Sequence, residues 1–567
     1  MVDAVPVDCA EQEAAATYAW LRGSVSLALV LSTVPFLHGT RRLPELFADP
    51  KELGLHISAT IATLGTFLLL RRARWRAGWQ PHIAGVLVVI MFLGLVSASV
   101  GSVNPWLTWR SVSLAASGSL IFALARPLGS DDKYGVRGVL LVLAFIVALI
   151  SCAEAFFGAP DLSQYGRAPG GLIGNRNQAS HLLALSLPLW WLSQCEAKSS
   201  CARVVALVGC GVCACSITLS RSRASWLAVF ACGLLIMLAS AVCRRISFRA
   251  SAIWLSGVVA GAIVAVSVPT RLEWSTPRPF LDTGARLIEF DRGSGLGRLT
   301  QHVTSARLIQ QAPLLGVGPG QWQFAYARVA GSRDPSFRPL AISPTPRTPQ
   351  SDWMAIATEW GLPSVLLILG GLFLLAVRAA REVRGLASDR AVTHSLACIV
   401  TICTVVWLGA FDVLLGTAAG LAWTAAIVAT LAPRIAVAGY ADVGSRHTGR
   451  VAVLLMFGCM SLSGAILAGQ RTSSQWLLRR NPTIADAQRA IRLDPSNYET
   501  RIAIAAFWSR SGRCDLALDP LREARRLHPS ARPAIIMQSH CATLDARIPR
   551  SRLRTLPRIR EAPLVTQ

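Results

Sequence analysis

The run GVLLVLAFIVALISCAEAFF, residues 138–157, contains one acidic or basic side chain, Glu154, close to its C-terminal end. A helix of this length spans about 30 Å at 1.5 Å per residue, the thickness of a bilayer's hydrocarbon core. Comparable runs cover 19–38, 54–70, 82–103, 105–125, 178–194, 203–219, 225–243, 251–268, 353–377, 393–413, 417–433 and 451–469. The reading is an all-α, polytopic membrane protein of about thirteen transmembrane helices. Composition agrees: 53% of the 567 residues are hydrophobic and 15% charged, with a mean hydropathy of +0.46. A soluble chain of this length needs far more charged surface to cover its core.

The segments between the runs supply the orientation. Basic clusters follow the second, eighth, tenth and twelfth runs, at Arg71–Arg76, Arg244–Arg249, Arg378–Arg384 and Arg434–Arg450. By the positive-inside rule these loops face the cytoplasm, and so does the N-terminal segment 1–18. About seventeen polar or acidic residues precede the first run and no small-residue cleavage site follows it, so it reads as a retained helix. The domain plan is helices 1–9 over 19–268, a large periplasmic loop over 269–352, helices 10–13 over 353–469 and a periplasmic tail over 470–567. A smaller loop, 158–177, lies on the same outer side. The formal charge of +25 is spread through orientation signals, which argues against a nucleic-acid partner. Nearly all of it is Arg. Coding bias accounts for that excess, but the guanidinium fork also suits phosphate better than Lys does.

Most of the fourteen Cys lie in apolar runs, where Cys is a small packing residue. No spacing suggests zinc, and no metal or cofactor is expected. Cys514 and Cys541 differ: both fall in the polar tail and are candidates for a disulfide in an oxidising compartment. The tail also repeats itself. Leu493-Asp494-Pro495-Ser496 recurs as Leu527-His528-Pro529-Ser530, with the prolines 34 residues apart, the tetratricopeptide period. Ala487, Ala490 and Ile491, then Ala517, Leu521 and Ala524, give the small and apolar positions. One full repeat and a half repeat stack poorly alone, so the tail is expected to lean on the membrane domain or a protein partner.

The large loop holds the chemistry-bearing stretch. Gly297-Arg298-Leu299 leads into a short amphipathic helix over 298–311, closed by Pro313 and followed by Leu314-Leu315-Gly316-Val317-Gly318-Pro319-Gly320. Such a turn permits close approach of backbone to a ligand, although it lacks the flanking strand of a dinucleotide site. This stretch, closed by the aromatic Trp322, resembles the O-antigen ligase and polymerase superfamily. Three further pieces are similar to family segments: Ser222-Arg223 at a helix start, Gly174-Asn175-Arg176-Asn177 entering the sixth helix, and Ser351-Asp352-Trp353 running to Glu359-Trp360-Gly361-Leu362. The resemblance covers roughly 170–375. It implies a GT-C-like helical fold. It also implies transfer of a glycan from a polyprenyl-pyrophosphate carrier to a lipid, glycan or protein acceptor, at the periplasmic face of a bacterial inner membrane.

In that scheme arginines bind the pyrophosphate, whose negative charge grows as the glycosidic bond breaks. Arg223, Arg298 and, as a substitute, Arg221 are the candidates, with Arg286 and Arg307 behind them. Asn177, Gly316, Gly318, Gly320 and Glu359 would shape the loops. The family places a histidine two residues before Asp352; this chain has Gln350, which takes no proton at neutral pH. Asp352 or His302 would then be the base, or Gln350 would only orient the acceptor. The alternatives are a polymerase, a protein glycan-transferase and, from another class, a non-catalytic assembly factor. A transporter is disfavoured, because matching Gly/Pro-broken helices are not evident. Glu154, His181 and Asp412, near the outer ends of helices, read first as structural polar residues at a depth where ionisable groups are often functional.

Overall fold

The computed structural model describes residues 7–34, 45–72, 81–129, 135–160, 162–164, 166–274, 276–287, 289, 293–331, 333–385, 388–433, 444–479 and 482–545. The expectations placed on residues 1–6, Arg74, Arg76, 434–443 and 546–567 lie outside these. The described chain is all α. Its first nine helices are α1 (Val7–Thr33), α2 (Glu45–Arg72), α3 (Pro81–Gly101), α4 (Pro105–Ala125), α5 (Val136–Phe157), α6 (Arg176–Glu196), α7 (Ser200–Ser220), α8 (Arg223–Val242) and α9 (Phe248–Ser267). The large loop carries α10 (Pro279–Ala285), α11 (Gly293–Gln311) and α12 (Trp322–Val329). Then come α13 (Asp352–Trp360), α14 (Leu362–Arg384), α15 (Asp389–Phe411), α16 (Ala418–Leu431) and α17 (Gly444–Leu477). The tail is α18 (Ile484–Leu493), α19 (Tyr498–Arg510), α20 (Cys514–Leu527) and α21 (Arg532–Asp545).

Every apolar run expected to be a helix contains one. Among the described residues nine helices are long and apolar enough to cross a membrane, and α16 and part of α3 are shorter apolar helices. The chain is a multi-pass membrane protein. Polar side chains punctuate the helices where the backbone needs partners. Ser199, Ser247, Ser388 and Thr417 each accept an N–H from the first turn of the helix they precede.

The run expected as one span from 353 is two helices. Gly361 separates α13 from α14 with φ +82°, a value open to glycine but strained for other residues, and Pro363 sits in the first turn of α14. The break matters because α13 now belongs with the large loop and α14 runs on alone. Burial sorts the two helices that follow: 72% of the apolar window of α15 is buried against 17% for α14. Helices α6, α15 and α16 are buried along most of their length and form the interior of the bundle, whereas α14 is the more exposed.

A buried ionic cluster holds α2, α4 and α17 together. Arg471 donates to Glu52 at 2.7 Å, and Arg110 donates through Nε to the same carboxylate at 2.9 Å, with Asp49 beside both. Charges at such depth persist only when paired. Helix α17 continues beyond the bundle toward the tail, where Ser474 bonds the carbonyl of Ala490 on α18 at 2.9 Å. Ala487, Ala490, Ala517, Leu521 and Ala524 are buried between the tail helices. A disulfide links Cys514 of α20 to Cys541 of α21, with 5.2 Å between their Cα atoms. The tail leans on the large loop: the ring of His528 lies 4.9 Å from Phe324 of α12 and 5.0 Å from Tyr498 of α19.

Candidate active site

The glycine-rich turn approaches protein rather than open space. Gly316, Gly318 and Gly320 all have positive φ, and the turn wraps the C-terminal end of α13. Val317 and Gly318 donate their N–H groups to the carbonyls of Thr358 and Glu359, at 2.8 and 3.1 Å. A Cβ on Gly316 would lie 2.6 Å from the backbone of Glu359, and one on Gly320 the same distance from the carbonyl of Leu107. The buried Glu359 carboxylate completes the clasp, accepting from the N–H of Gly320 at 2.8 Å and of Trp322 at 3.1 Å. The turn thus locks α12 onto α13 and fixes the end of the large loop against α3 and α4.

At the other end of the loop, Arg298 on α11 reaches the C-terminus of α15. Its Nη2 lies 3.4 Å from Oδ2 of Asp412, and the Nδ2 of Asn177, at the N-terminus of α6, donates to the same oxygen at 3.2 Å. The wholly buried His181 places Nε2 4.0 Å from that oxygen. Three side chains, two from α6 and one from α11, therefore converge on one carboxylate at the end of α15. Asn177 is aimed by its own turn, because Asn175 caps α6 by accepting the Asn177 N–H at 3.0 Å. Upstream, Glu154 shapes the 158–177 loop through bonds to the N–H of Ser163 at 3.0 Å and of Gly171 at 2.9 Å.

The other two arginines stand at the start of α8. Arg223 is near enough to Arg298 to feel its charge, and its Nη1 donates to the carbonyls of Arg286 and Glu289. Arg221, in the left-handed region with φ +55°, donates to Thr283 at 2.8 Å and lies 5.0 Å from the Trp274 ring centroid. Arg223 and Arg298 are brought toward each other, whereas Arg221 serves the first part of the loop. Arg286 is largely exposed and pairs with Glu289.

Around Gln350, three candidates for proton chemistry separate. The buried Asp352 accepts backbone N–H groups from Leu414 and Leu415 at 2.8 Å and Gly416 at 3.1 Å, so both its oxygens are occupied. Burial pushes its carboxyl up to about 7 against the pull of those donors. Gln350 is half-buried, its N–H held by the Gln301 side chain at 3.2 Å. His302, next to Gln301 on α11, packs against the Gln350 backbone, and its buried Nε2 has no hydrogen-bond partner among the described residues. Burial holds the imidazole below its ordinary value, with the Arg298 charge adding in the same direction. Among the described residues no three His, Cys, Asp or Glu side chains gather as a metal site would require.

Several of these groups border one cavity of about 1700 Å³, which Arg298 meets through Asp412. Asn177, Gln350, Asp352 and Asp412 line its polar part. Leu87, Met91, Leu114, Ile368, Leu372 and Val405 line an apolar part between α3, α4, α14 and α15. Residues 208–369 match the family model described as O-antigen ligase. The match covers less than a third of the chain, and over that segment the chain is similar to the O-antigen ligases. No curated protein matches the sequence. The matched segment supports glycan transfer of the O-antigen-ligase type as the general function. The segment shared with the O-antigen ligases runs from within α7 into α14, so it holds Arg221, Arg223, Arg298, the glycine turn, Gln350, Asp352 and Glu359. Asn177 and Asp412 lie outside it, one on each side. The sequence reading treated Asp412 as a structural polar residue, and no local motif marks it. Its partner Arg298 is 114 residues away.

Proposed function

We propose that this protein transfers a glycan from a polyprenyl-pyrophosphate carrier to an acceptor hydroxyl at the periplasmic face of the bacterial inner membrane. The observation that carries the reading is the meeting of Arg298, Asn177 and Asp412 at a cavity that also has an apolar wall between α3, α4, α14 and α15. An amphipathic donor fits such a space, with its isoprenoid on the apolar side and its pyrophosphate at the guanidinium. The acceptor oxygen attacks the anomeric carbon, the bond from that carbon to the pyrophosphate oxygen breaks, and the pyrophosphate leaves on its lipid. Arg298, oriented by Asp412 and Asn177, meets the charge that develops there, and Arg223 reinforces it from α8.

The proton of the acceptor hydroxyl goes to His302 and from there to water. His302 is neutral at neutral pH because burial disfavours its charged form, and it stands beside Gln350, where the family's histidine would be. Asp352 is assigned a different task. With three N–H groups on its carboxylate it ties α13 to the α15–α16 turn. The acceptor is a lipid, with a growing polymer or a protein as the alternatives, and the tetratricopeptide-like tail is the element that would bring a protein partner.

A non-catalytic assembly role is the rival, favoured by Gln350 alone. Arg298→Ala and Asp412→Ala, compared singly and together in membranes at matched protein levels, separate the two. If the pair works as a unit, each single change lowers transfer on the order of 100-fold and the double change adds little. Full transfer in both single variants would remove the enzyme reading as built here.

A further inference from the structure

The cavity that holds Gln350 and Asp412 does not end at the membrane domain. Asn497, Tyr498 and Glu499, at the start of α19, line it from the side of the tail. They face Ser343 and Arg347, which precede Gln350 in the large loop and line the same space. The joint is specific. Arg347 pairs with Glu499 at 3.7 Å, Ser343 donates to the same carboxylate, and Asn104 at the start of α4 donates to the carbonyl of Ser496 at 3.4 Å. Tyr498 is braced from behind by His528, which is itself set on Phe324.

We infer that the tail forms part of the substrate site: Asn497, Tyr498, Glu499 and Arg347 make a subsite for the sugar units of the donor glycan beyond the one that reacts. The inference rests on the transfer reading above and adds the tail to it. Size is the first argument. About 1700 Å³ exceeds the roughly 300–1,000 Å³ that serves a small ligand, so the space takes more than a head group and one sugar. Chemistry is the second. A glycan offers hydroxyls along its edges and C–H faces on its rings. Asn and Glu oxygens and the Arg fork match the former, and a Tyr ring, apolar in body with a polar tip, matches the latter. Continuity is the third. The apolar wall, Asn177 and Asp412, and these tail residues all line one cavity, as the joined parts of a lipid-linked glycan would require. Rigidity is the fourth. The tail is fastened by α17, by the His528 stack and by the Cys514–Cys541 bond, so its side chains are held over the cavity.

The test uses the full-length protein in membranes and the host strain's own lipid-linked glycan, fractionated into one-repeat and several-repeat donors. For each donor, kcat/KM is measured for wild type, Tyr498→Ala and Glu499→Gln. The expected result is a fall of about tenfold in the ratio of several-repeat to one-repeat transfer in each variant, the size of one lost contact. Carried by KM rather than kcat, that loss marks binding. Equal losses with both donors, or no loss with either, would overturn the subsite. To guard against misfolding, each variant is checked for an intact disulfide and wild-type protease resistance of the tail. A variant failing that check is replaced by Asn497→Ala or Tyr498→Phe, for which a ratio equal to wild type in both would equally overturn the subsite. If wild type transfers neither donor, the transfer reading falls and this inference with it. If wild type transfers both and the ratio does not move, only the tail subsite is lost.

Discussion

In the proposed transfer the chemistry turns on Asp412 and His302, and the two are unequally visible in the sequence. His302 stood out as an imidazole in an amphipathic loop helix, but its closeness to Gln350 is a tertiary fact that spacing cannot supply. Asp412 carried no motif, and only the convergence of Asn177, Arg298 and His181 shows what it does. The geometry around His302 has a pH consequence. Burial lowers its proton affinity, so the neutral, proton-accepting form persists as pH falls through the ordinary imidazole value of 6.5. Transfer in a pH series should therefore hold through that value and decline only in more acidic buffer. His302→Gln should lose roughly 100-fold or more and lack that acidic limb. A limb centred at or above 6.5, or one retained in His302→Gln, would point to another base.

Helices were the most legible elements, since length and hydropathy alone mark a membrane span. All thirteen expected runs hold a helix, and the loop helix expected to end before Pro313 ends at Gln311. The break at Gly361 was missed, although a glycine followed two residues later by proline signals it, because the apolar run continued across the interruption. The glycine turn was legible as a loop-shaping element, but its packing on the backbone of α13 is a tertiary contact that the motif does not name. That packing makes a stability prediction. Gly316→Ala would force a Cβ to 2.6 Å from the Glu359 backbone at a φ unfavourable for alanine. It should cost about 1–3 kcal/mol and lower the thermal midpoint in detergent. An unchanged midpoint would mean that the turn is looser than described.

The whole molecule couples three parts through one cavity: a membrane bundle, a large loop and a helical tail. Helical composition and the long-loop motifs made the first two legible. The 34-residue spacing made the tail's helical character legible, but not its position over the cavity, which depends on contacts between residues more than 150 apart in sequence, such as Ser343 and Glu499. The Cys514–Cys541 bond secures that tail. Its removal by Cys514→Ser should destabilise the tail by about 2–5 kcal/mol and open α20 and α21 to limited proteolysis, with the bundle left intact. Equal proteolysis of wild type and variant would contradict this.

The most direct measurement follows labelled lipid-linked glycan in membranes from a deletion strain complemented with wild type, Arg298→Ala or Gln350→His. Wild type should move label off the carrier and Arg298→Ala should not, with the labelled product identifying the acceptor. Transfer by Gln350→His alone would contradict the reading, because the natural chain would then hold the site without performing the reaction.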